Sequence, residues 1–197
     1  MWKPIRMARD LGTPAGEVHR AAEILRFWLG EITPEKRFAQ DPAIDQACRQ
    51  RFGDLRETVF ASAAAGWRGT IEHLLAAIIL LDQFSRNLFR EDARAFEADP
   101  LTRALTREAL ARGWDRGLDR VSRQFLYMPL MHSEHMADQV SALRLFAALG
   151  DADSLDFARK HAAQIAQFGR FPQRNEVLGR ATTPAEAAFL SRPGARF

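Results

Sequence analysis

Residues 74–90 read LLAAIILLDQFSRNLFR, an apolar run that passes directly into a dense polar segment. The apolar part, LLAAIILL at 74–81, is the longest such run in the chain. It is far shorter than the roughly 20 residues that a membrane span requires. A helix that is apolar on all sides over two turns is typical of the centre of a globular core. We therefore expect this segment to form the central helix of the fold.

Helix start signals recur on both sides of this segment, because a capping residue repeatedly stands directly before a proline. These pairs are Thr13-Pro14, Thr33-Pro34, Asp41-Pro42, Asp99-Pro100 and Thr183-Pro184. Glu186 follows Thr183 by three residues, which completes a capping box. Alternating stretches of β-branched residues, the signal for strands, are absent from the sequence. The pattern predicts an all-α protein.

Apolar residues at helical spacing predict the positions of the helices, and glycines predict where each helix ends. We predict them near 14–29, 42–65 with a possible break at Gly53, 70–88, 100–112, 120–128, 133–149, 154–168 and 184–190. Short connections predict antiparallel helix pairs in a single domain over 1–197, similar to a tetratricopeptide stack, with 1–12 flexible or loosely packed. The predicted core residues are Trp28, Leu75, Ile78, Ile79, Phe84, Phe125, Leu126, Leu145 and Phe168.

Composition narrows the classes of function. The 197 residues are 47% hydrophobic and 27% charged, as is usual for a soluble globular domain. The net charge is only +3, and basic residues are scattered without a run longer than two, so nucleic-acid binding is not expected. A single cysteine, Cys48, excludes an intramolecular disulfide, and the N-terminus has no apolar segment of a signal peptide. The sequence predicts a cytoplasmic protein without a membrane partner.

The first candidate site segment is the polar end of the central helix. Residues four apart share a helix face, so a carboxylate, a guanidinium and two amides emerge together where the apolar run ends. The residues concerned are Asp82, Gln83, Arg86, Asn87 and Arg90. Two interpretations remain open: a ligand site, or a structural salt bridge between Asp82 and Arg86.

The second segment is FLYMPLMHSEHMADQ at 125–139. Pro129 predicts the end of one helix, and Ser133 is expected to cap the next. His132 and Glu134 lie at that helix start, where the macrodipole favours a carboxylate. A general acid/base role for His132, or for His161 farther along the chain, together with Glu134 is one hypothesis.

A metal site is the weaker hypothesis for this segment. Its ligands would be His132, His135, Asp138 and His161. The histidines of HSEH are three apart, whereas the zinc-protease motif H-E-x-x-H has them four apart. We predict no metal and no other cofactor.

The third segment is QFGRFPQRNEVLGR at 167–180, a proline-braced connection with three arginines. Arginine offers five donors in a rigid fork, so several on a stiff loop suit a carboxylate or a phosphate. We predict that Arg170, Arg174 and Arg180 turn inward. The alternative is an internal partner, for which the candidate acids are Asp82, Glu134 and Glu186.

Six segments together resemble the DUF924 family, bacterial and some eukaryotic proteins of unknown function with a tetratricopeptide-like helical fold. They are LDQFSRNLFR, AFEADP, FLYMPLMHSE with ADQ behind it, FGRFPQRNEVLGR, TTPAEAAFL and RPGARF. The resemblance runs from about Phe27 to the C-terminus and implies an all-helical, single-domain cytoplasmic protein without implying a reaction. The family's polar pattern falls on Asp82, Gln83, Arg86, Asn87, Arg90, His132, Ser133, Glu134, Gln139, His161, Arg170, Arg174, Asn175, Gly179 and Arg180.

The chain departs from the family pattern at four positions. Ser85 stands where the family tends to have proline, and Gln167 where it tends to have arginine. His135 replaces an acid and Gln173 replaces a histidine, which weakens any metal or catalytic role built on these two positions.

Taken together, the three segments are expected to converge on one arginine-rich pocket that recognises a small anionic molecule or an acidic peptide group. The charge partners would be Arg86, Arg170, Arg174 and Arg180, with Asn87, Gln139 and Asn175 as orienting amides. Two acids cannot neutralise the four guanidiniums, so such a pocket would keep an excess of positive charge. A bound anion, a further acid such as Glu186, or water would have to compensate it. The alternatives are a hydrolase-type enzyme using His132 or His161 with Glu134, and a protein-interaction domain whose polar cluster is structural.

Overall fold

The central helix of the fold is the apolar segment that the sequence marks. In a computed structural model, which describes residues 14–195, every residue from 74 to 85 is buried. Aromatic rings surround Phe84, with centroid distances of 5.0 Å to Phe52, 5.3 Å to Trp28 and 5.8 Å to Phe27. Between residues 14 and 195 the secondary structure is helical, without a strand. The all-α prediction is confirmed.

The helices follow one another closely along the chain. They are α1 (Pro14–Leu25), α2 (Pro34–Arg37), α3 (Pro42–Ala61), α4 (Ile71–Ile78), α5 (Ser85–Leu88), α6 (Asp99–Ala111), α7 (Arg120–Met131), α8 (Met136–Leu149), α9 (Ala152–Phe168) and α10 (Pro184–Leu190). Two π-helical segments, Arg26–Glu31 after α1 and Ile79–Phe84 after α4, continue their helices with wider turns. Of the helices in this range, none is long and apolar enough to cross a bilayer. The expected N-terminal segment 1–12 and the Thr13 cap lie outside the described residues.

Two predicted helix breaks are wrong. Helix α3 continues through Gly53, although glycine inside a helix costs about 1 kcal/mol. The neighbouring Phe52 and Leu55 are buried in the core, and their packing outweighs that cost. Helix α7 likewise continues past Pro129 to Met131, where the side chains of its last two turns are buried. In both places, tertiary burial overrides a local breaking signal.

Some of the capping predictions are confirmed and others are wrong. The Asp41 side chain accepts a hydrogen bond from the Ala43 backbone N–H, and Thr183 forms the predicted capping box with Glu186. At Thr33 the side chain makes no capping hydrogen bond. Asp99 is the first residue of α6 rather than its cap, which leaves its carboxylate available for other partners.

The helix that follows α7 starts later than predicted. Helix α8 begins at Met136 with His135 at the N-cap position, so Ser133 is not its cap. The Ser133 hydroxyl instead accepts a hydrogen bond of 3.1 Å from the His135 N–H and forms a turn before the helix. Helices α7, α8 and α9 then pack successively against one another across short connections. The closer likeness to a tetratricopeptide stack, and the single domain over the whole chain, stay predictions.

Most of the predicted core is confirmed. The buried members are Trp28, Leu75, Ile78, Ile79, Phe84, Phe125 and Leu126. Leu145 and Phe168 are only partly buried, because Ala142 and Phe146 form the inner face of α8 and Phe168 packs near the C-terminus on Phe189.

Ile78 offers a direct test of the central helix. Its side chain is 1% exposed, so the Ile78→Ala variant should lose about 2–5 kcal/mol of unfolding free energy through lost burial and a residual cavity. Chemical denaturation measures this, with Val140→Ala as the control, because Val140 is 40% exposed and its truncation should cost less than about 0.5 kcal/mol. Equal losses in the two variants would show that α4 is not the centre of the core.

Candidate functional site

Asp82 is the innermost acid of the candidate site. It lies in the π-helical segment Ile79–Phe84 and is fully buried. Its Oδ1 lies 2.9 Å from His132 Nδ1 and 3.1 Å from Arg86 Nη1, and the Gln83 amide also donates to the carboxylate. The predicted salt bridge between Asp82 and Arg86 is therefore present. It is part of a wider network, and Asp82 lies in a π-helical segment, a feature often found at functional or strained positions.

The electrostatics of Asp82 explain how a carboxylate is tolerated in the core. Burial by itself would raise the pKa of Asp82, because it disfavours the charged form. The charge of Arg86 and the contact with His132 outweigh burial and, with the hydrogen bonds from His132 and Gln83, hold the pKa of Asp82 well below its usual range. Asp82 is thus ionised at neutral pH, and His132 Nδ1 is the donor in their hydrogen bond.

Asp99 joins the first and third segments. Its Oδ1 lies 3.1 Å from Arg86 Nη2 and its Oδ2 lies 3.1 Å from Arg174 Nη1. One carboxylate therefore holds two guanidiniums, one from α5 and one from the loop after α9. Arg174 Nη2 also donates to the His132 carbonyl over 3.0 Å, which ties the second segment to the same point.

Arg174 is held between two aromatic rings. Its guanidinium carbon lies 4.4 Å from the centroid of Phe96 and 4.6 Å from that of Phe171. Contacts of this kind attract a cation to the ring face. Burial lowers the pKa of Arg174 to about 10, although Asp99 opposes the shift, so the side chain remains charged at neutral pH.

Arg180 and Glu134 form a second pair. Arg180 Nη1 lies 2.7 Å from Glu134 Oε2 and its Nη2 lies 3.0 Å from Oε1, a two-point contact of the strong kind. The Phe171 backbone N–H also donates to Glu134. Burial favours a higher pKa for Glu134, but these hydrogen bonds and the charge of Arg180 lower it overall.

Arg170 pairs with Glu186 instead of with the acids of the first two segments. Its Nε and Nη2 lie 2.6 and 2.9 Å from the two Glu186 oxygens, and the Asn175 amide donates to Glu186 over 3.3 Å. The hydrogen bond from Arg170 and that from the Thr183 backbone lower the pKa of Glu186 to about 2. Glu186 of the capping box thus also holds the loop between α9 and α10, which carries Arg170, Arg174 and Arg180.

The histidines are not arranged with Glu134 as the acid/base hypothesis requires. Glu134 binds Arg180 and Phe171, whereas the carboxylate against His132 is Asp82. His161 Nδ1 lies 2.8 Å from the Phe157 carbonyl, and its ring centroid is 5.9 Å from that of His132. Burial lowers the pKa of His161 to about 3, so this ring is neutral at neutral pH.

Asp138 and Gln139 have structural partners. Asp138 accepts hydrogen bonds from the Ser133 hydroxyl at 2.6 Å, from Arg103 at 3.2 Å and from Arg107. Gln139 Nε2 donates to the Met131 and Ser133 carbonyls and so fixes the turn before α8. In the described part of the chain, no three histidine, cysteine or acidic side chains come together as a possible metal site. Asp138 is bound to arginines, so the hypothetical metal site does not form around it.

Asn87 and Arg90 form a separate group on Asp45, in the first turns of α3. The Asn87 amide donates over 2.8 Å and Arg90 Nη2 donates over 2.7 Å to Asp45 Oδ1, while Arg90 Nε donates to Oδ2. This pair connects α3 to the end of the central helix. Asp45 was not among the predicted site residues, because a carboxylate in a first helical turn already has a local explanation.

The structure corrects the expected charge balance. Four arginines of the three segments meet four carboxylates in the network and its neighbouring pairs: Arg86, Arg170, Arg174 and Arg180 against Asp82, Asp99, Glu134 and Glu186. The excess of positive charge expected over two acids is thus met by further acids, Glu186 as one of the named alternatives and Asp99 in addition. Asp99 was not among the predicted site residues, because Asp99-Pro100 matches the pattern of a helix cap. Its place in AFEADP, one of the segments that carry the family resemblance, could have indicated a role in the site.

Open space lies beside two of the predicted arginines. A shallow pocket of about 210 Å³ is lined by Gln40, Arg86, Arg90, Glu91, Ala95 and Phe96. The acids that pair with these arginines, Asp45, Asp82 and Asp99, are not part of its lining. Among the predicted site residues, this pocket brings together Arg86 and Arg90, whereas Arg170 and Arg180, on the loop after α9, pair with Glu186 and Glu134.

Comparisons with known proteins identify a family and a solved structure of similar fold. A family model described as "Bacterial protein of unknown function (DUF924)" matches residues 24–194. The chain is similar to a solved structure of a protein of unknown function, ATU0120 from Agrobacterium tumefaciens, with 38% sequence identity and a TM-score of 0.84, over 88% of this chain and 98% of that one. No curated protein matches the chain. The match covers well over half of the sequence, so the chain belongs to the DUF924 family.

Proposed function

We propose that the protein binds a small anionic molecule or an acidic peptide group in the pocket that Arg86 and Arg90 line. The observation that carries the proposal is the arrangement of charge around this pocket. The guanidinium side chains are 22% and 34% exposed, whereas Asp82, with 1%, lies behind them. The other two acids that hold these arginines, Asp99 at 13% and Asp45 at 15%, are also less exposed than the guanidiniums, so the cations face the open side.

Donors for an anion are present at this surface. Arg86 Nε and Arg90 Nη1 make no hydrogen bond to another residue within 14–195, although the other nitrogens of both side chains are used. A guanidinium held by an internal carboxylate loses little side-chain entropy when a ligand binds, which favours affinity. Such preorganised donors suit a carboxylate or a phosphate.

The size of the pocket limits the ligand. Its volume of about 210 Å³ is below the roughly 300–1,000 Å³ of sites for drug-sized molecules. A small acid, or the end of an acidic peptide side chain, fits this space. Arg170 and Arg180 support such a site indirectly, by holding the loop that carries Arg174. The buried free thiol of Cys48 is compatible with the cytoplasmic location that we also propose.

The Arg90→Ala variant tests this function. Arg90 donates from the pocket rim, and a hydrogen bond to a charged group contributes about 1.5–3 kcal/mol, so the affinity for phosphate or succinate should fall by about tenfold or more. Isothermal titration calorimetry gives the affinity. Melting temperatures with and without each anion give an independent measure, because a ligand of the folded state raises them.

Arg112→Ala is the matched control. Arg112 is also an exposed arginine that pairs with a glutamate, Glu108, and stacks on an aromatic ring, that of Trp114. It lies outside the pocket, so its loss should leave anion affinity within about twofold of the wild type. An equal loss of affinity in both variants would mean that the anions respond to net charge alone, and the proposal would be wrong.

A further inference from the structure

We propose that the ligand of this pocket is a small zwitterion, with an anionic group on Arg86 and Arg90 and an ammonium group on Glu91. The inference rests on the proposed anion-binding function and adds the chemical class of the ligand to it.

Glu91 is the unpaired charge of the pocket. It lines the same space as the two arginines, and its residue is exposed. Its side chain makes neither an ion pair nor a hydrogen bond with any residue in the described range 14–195. Arg90, its neighbour in sequence, is instead bound to Asp45. The pocket therefore has a carboxylate to which no cation among residues 14–195 is paired.

The backbone places this carboxylate directly after the arginine. Glu91 has a φ of 61°, in the left-handed region that residues other than glycine and asparagine seldom adopt. This turn ends the polar segment after α5 and leads to Ala95 and Phe96, which form the apolar side of the pocket. The pocket is thus lined by side chains of both charges and by the aromatic ring of Phe96.

The charge balance favours a zwitterion over a simple anion. The arginines in and behind the pocket are equal in number to the acids that pair with them: Arg86, Arg90 and Arg174 against Asp45, Asp82 and Asp99. With Glu91 added, these seven side chains carry four negative charges against three positive ones. A simple anion would gain the guanidinium donors but would also meet Glu91, whereas a ligand with an added ammonium group pairs with it.

Matched probes separate the two kinds of ligand. β-Alanine is propionate with an added ammonium group, and O-phosphoethanolamine is a phosphate monoester that carries one. Titrated against the full-length wild type by calorimetry, each zwitterion should bind at least about fivefold more tightly than propionate and inorganic phosphate, respectively. The Glu91→Gln variant should bring the two affinities of each pair together, because the amide keeps the size of the side chain and removes its charge.

The control is Glu72→Gln, which removes an exposed glutamate in the first turn of α4, outside the pocket lining. It should keep the preference for the zwitterions. Circular dichroism confirms that both variants remain folded. If each anion and its zwitterion bind the wild type equally well, the inference is overturned while the anion-binding function stands. If none of the four probes binds at millimolar concentration, the proposed function fails together with the inference.

Discussion

The free energy of unfolding of the Asp82→Asn variant is expected to be about 3–5 kcal/mol lower than that of the wild type. Asp82 is fully buried, and its carboxylate accepts hydrogen bonds from His132 and Gln83 and forms an ion pair with Arg86. Asparagine has the same shape but no charge, and its amide presents donors to groups that are themselves donors. The variant leaves Arg86 in the interior with Asp99 alone, which Arg174 also shares. Urea denaturation at neutral pH measures the loss.

The control for this prediction is Asp156→Asn. Asp156 pairs with Lys160 one turn later on α9, and both side chains are more than half exposed. Such surface pairs contribute about 0.3–0.5 kcal/mol, so the control should be close to the wild type. A loss below about 1 kcal/mol in Asp82→Asn would show that Asp99 by itself balances Arg86 and that the network is not cooperative.

The pH dependence of the same difference follows from the pKa of Asp82. Its folded-state pKa lies below the unfolded value of about 3.9, so its stabilisation is present above about pH 4. As the pH falls below that value, Asp82 becomes protonated in the unfolded state while it stays ionised in the folded state. The stabilisation is therefore progressively lost. The stability difference between wild type and Asp82→Asn should therefore shrink in acid.

Arg174→Ala should cost about 3–5 kcal/mol of unfolding free energy, for two reasons. The side chain is only 11% exposed, and its removal leaves Asp99 with one cation in place of two. It also removes the guanidinium from between the rings of Phe96 and Phe171, which leaves a gap beside both. The helical content should be retained, because Arg174 contacts the end of α7 only through the carbonyl of its C-cap residue, His132.

A double-mutant cycle with Asp99→Asn makes the second prediction specific. If the ion pair carries the loss, the two substitutions together should be less damaging than their sum by about 0.5–3 kcal/mol. Arg112→Ala again serves as the control, because Arg112 is 45% exposed and its stacking on Trp114 is at the surface. Additive losses for Arg174 and Asp99 would show that the two side chains stabilise the fold independently, contrary to the network described.

Much of the fold was predictable, because its signals are local. The apolar run before Asp82 predicts a buried helix without reference to any partner, and every residue from 74 to 85 is indeed buried. The Thr183–Glu186 capping box is likewise a four-residue pattern that forms as expected. The exceptions, Gly53 and Pro129, are positions where packing energy exceeds a local cost that the sequence does reveal.

The candidate site was predictable in its members but not in its pairing. Residue type and spacing singled out Asp82, Arg86 and Arg174, since fixed charges beside apolar residues are unusual. Which acid each arginine meets depends on how the loop after α9 crosses the ends of α5 and α6, and helical spacing carries no information on that crossing. Asp99, predicted as a cap, became the bridge between Arg86 and Arg174 for this reason.

The sequence by itself determined the helical class, the central helix and the three polar segments, because periodicity, caps and composition act over a few residues. Only the tertiary structure decided that four carboxylates balance four arginines and that open space remains beside Arg86 and Arg90. The physical reason is the range of the interactions involved. Helix formation is favoured by neighbours within about four residues, whereas an ion pair such as Arg174 with Asp99 joins residues 75 positions apart, which only chain packing brings together.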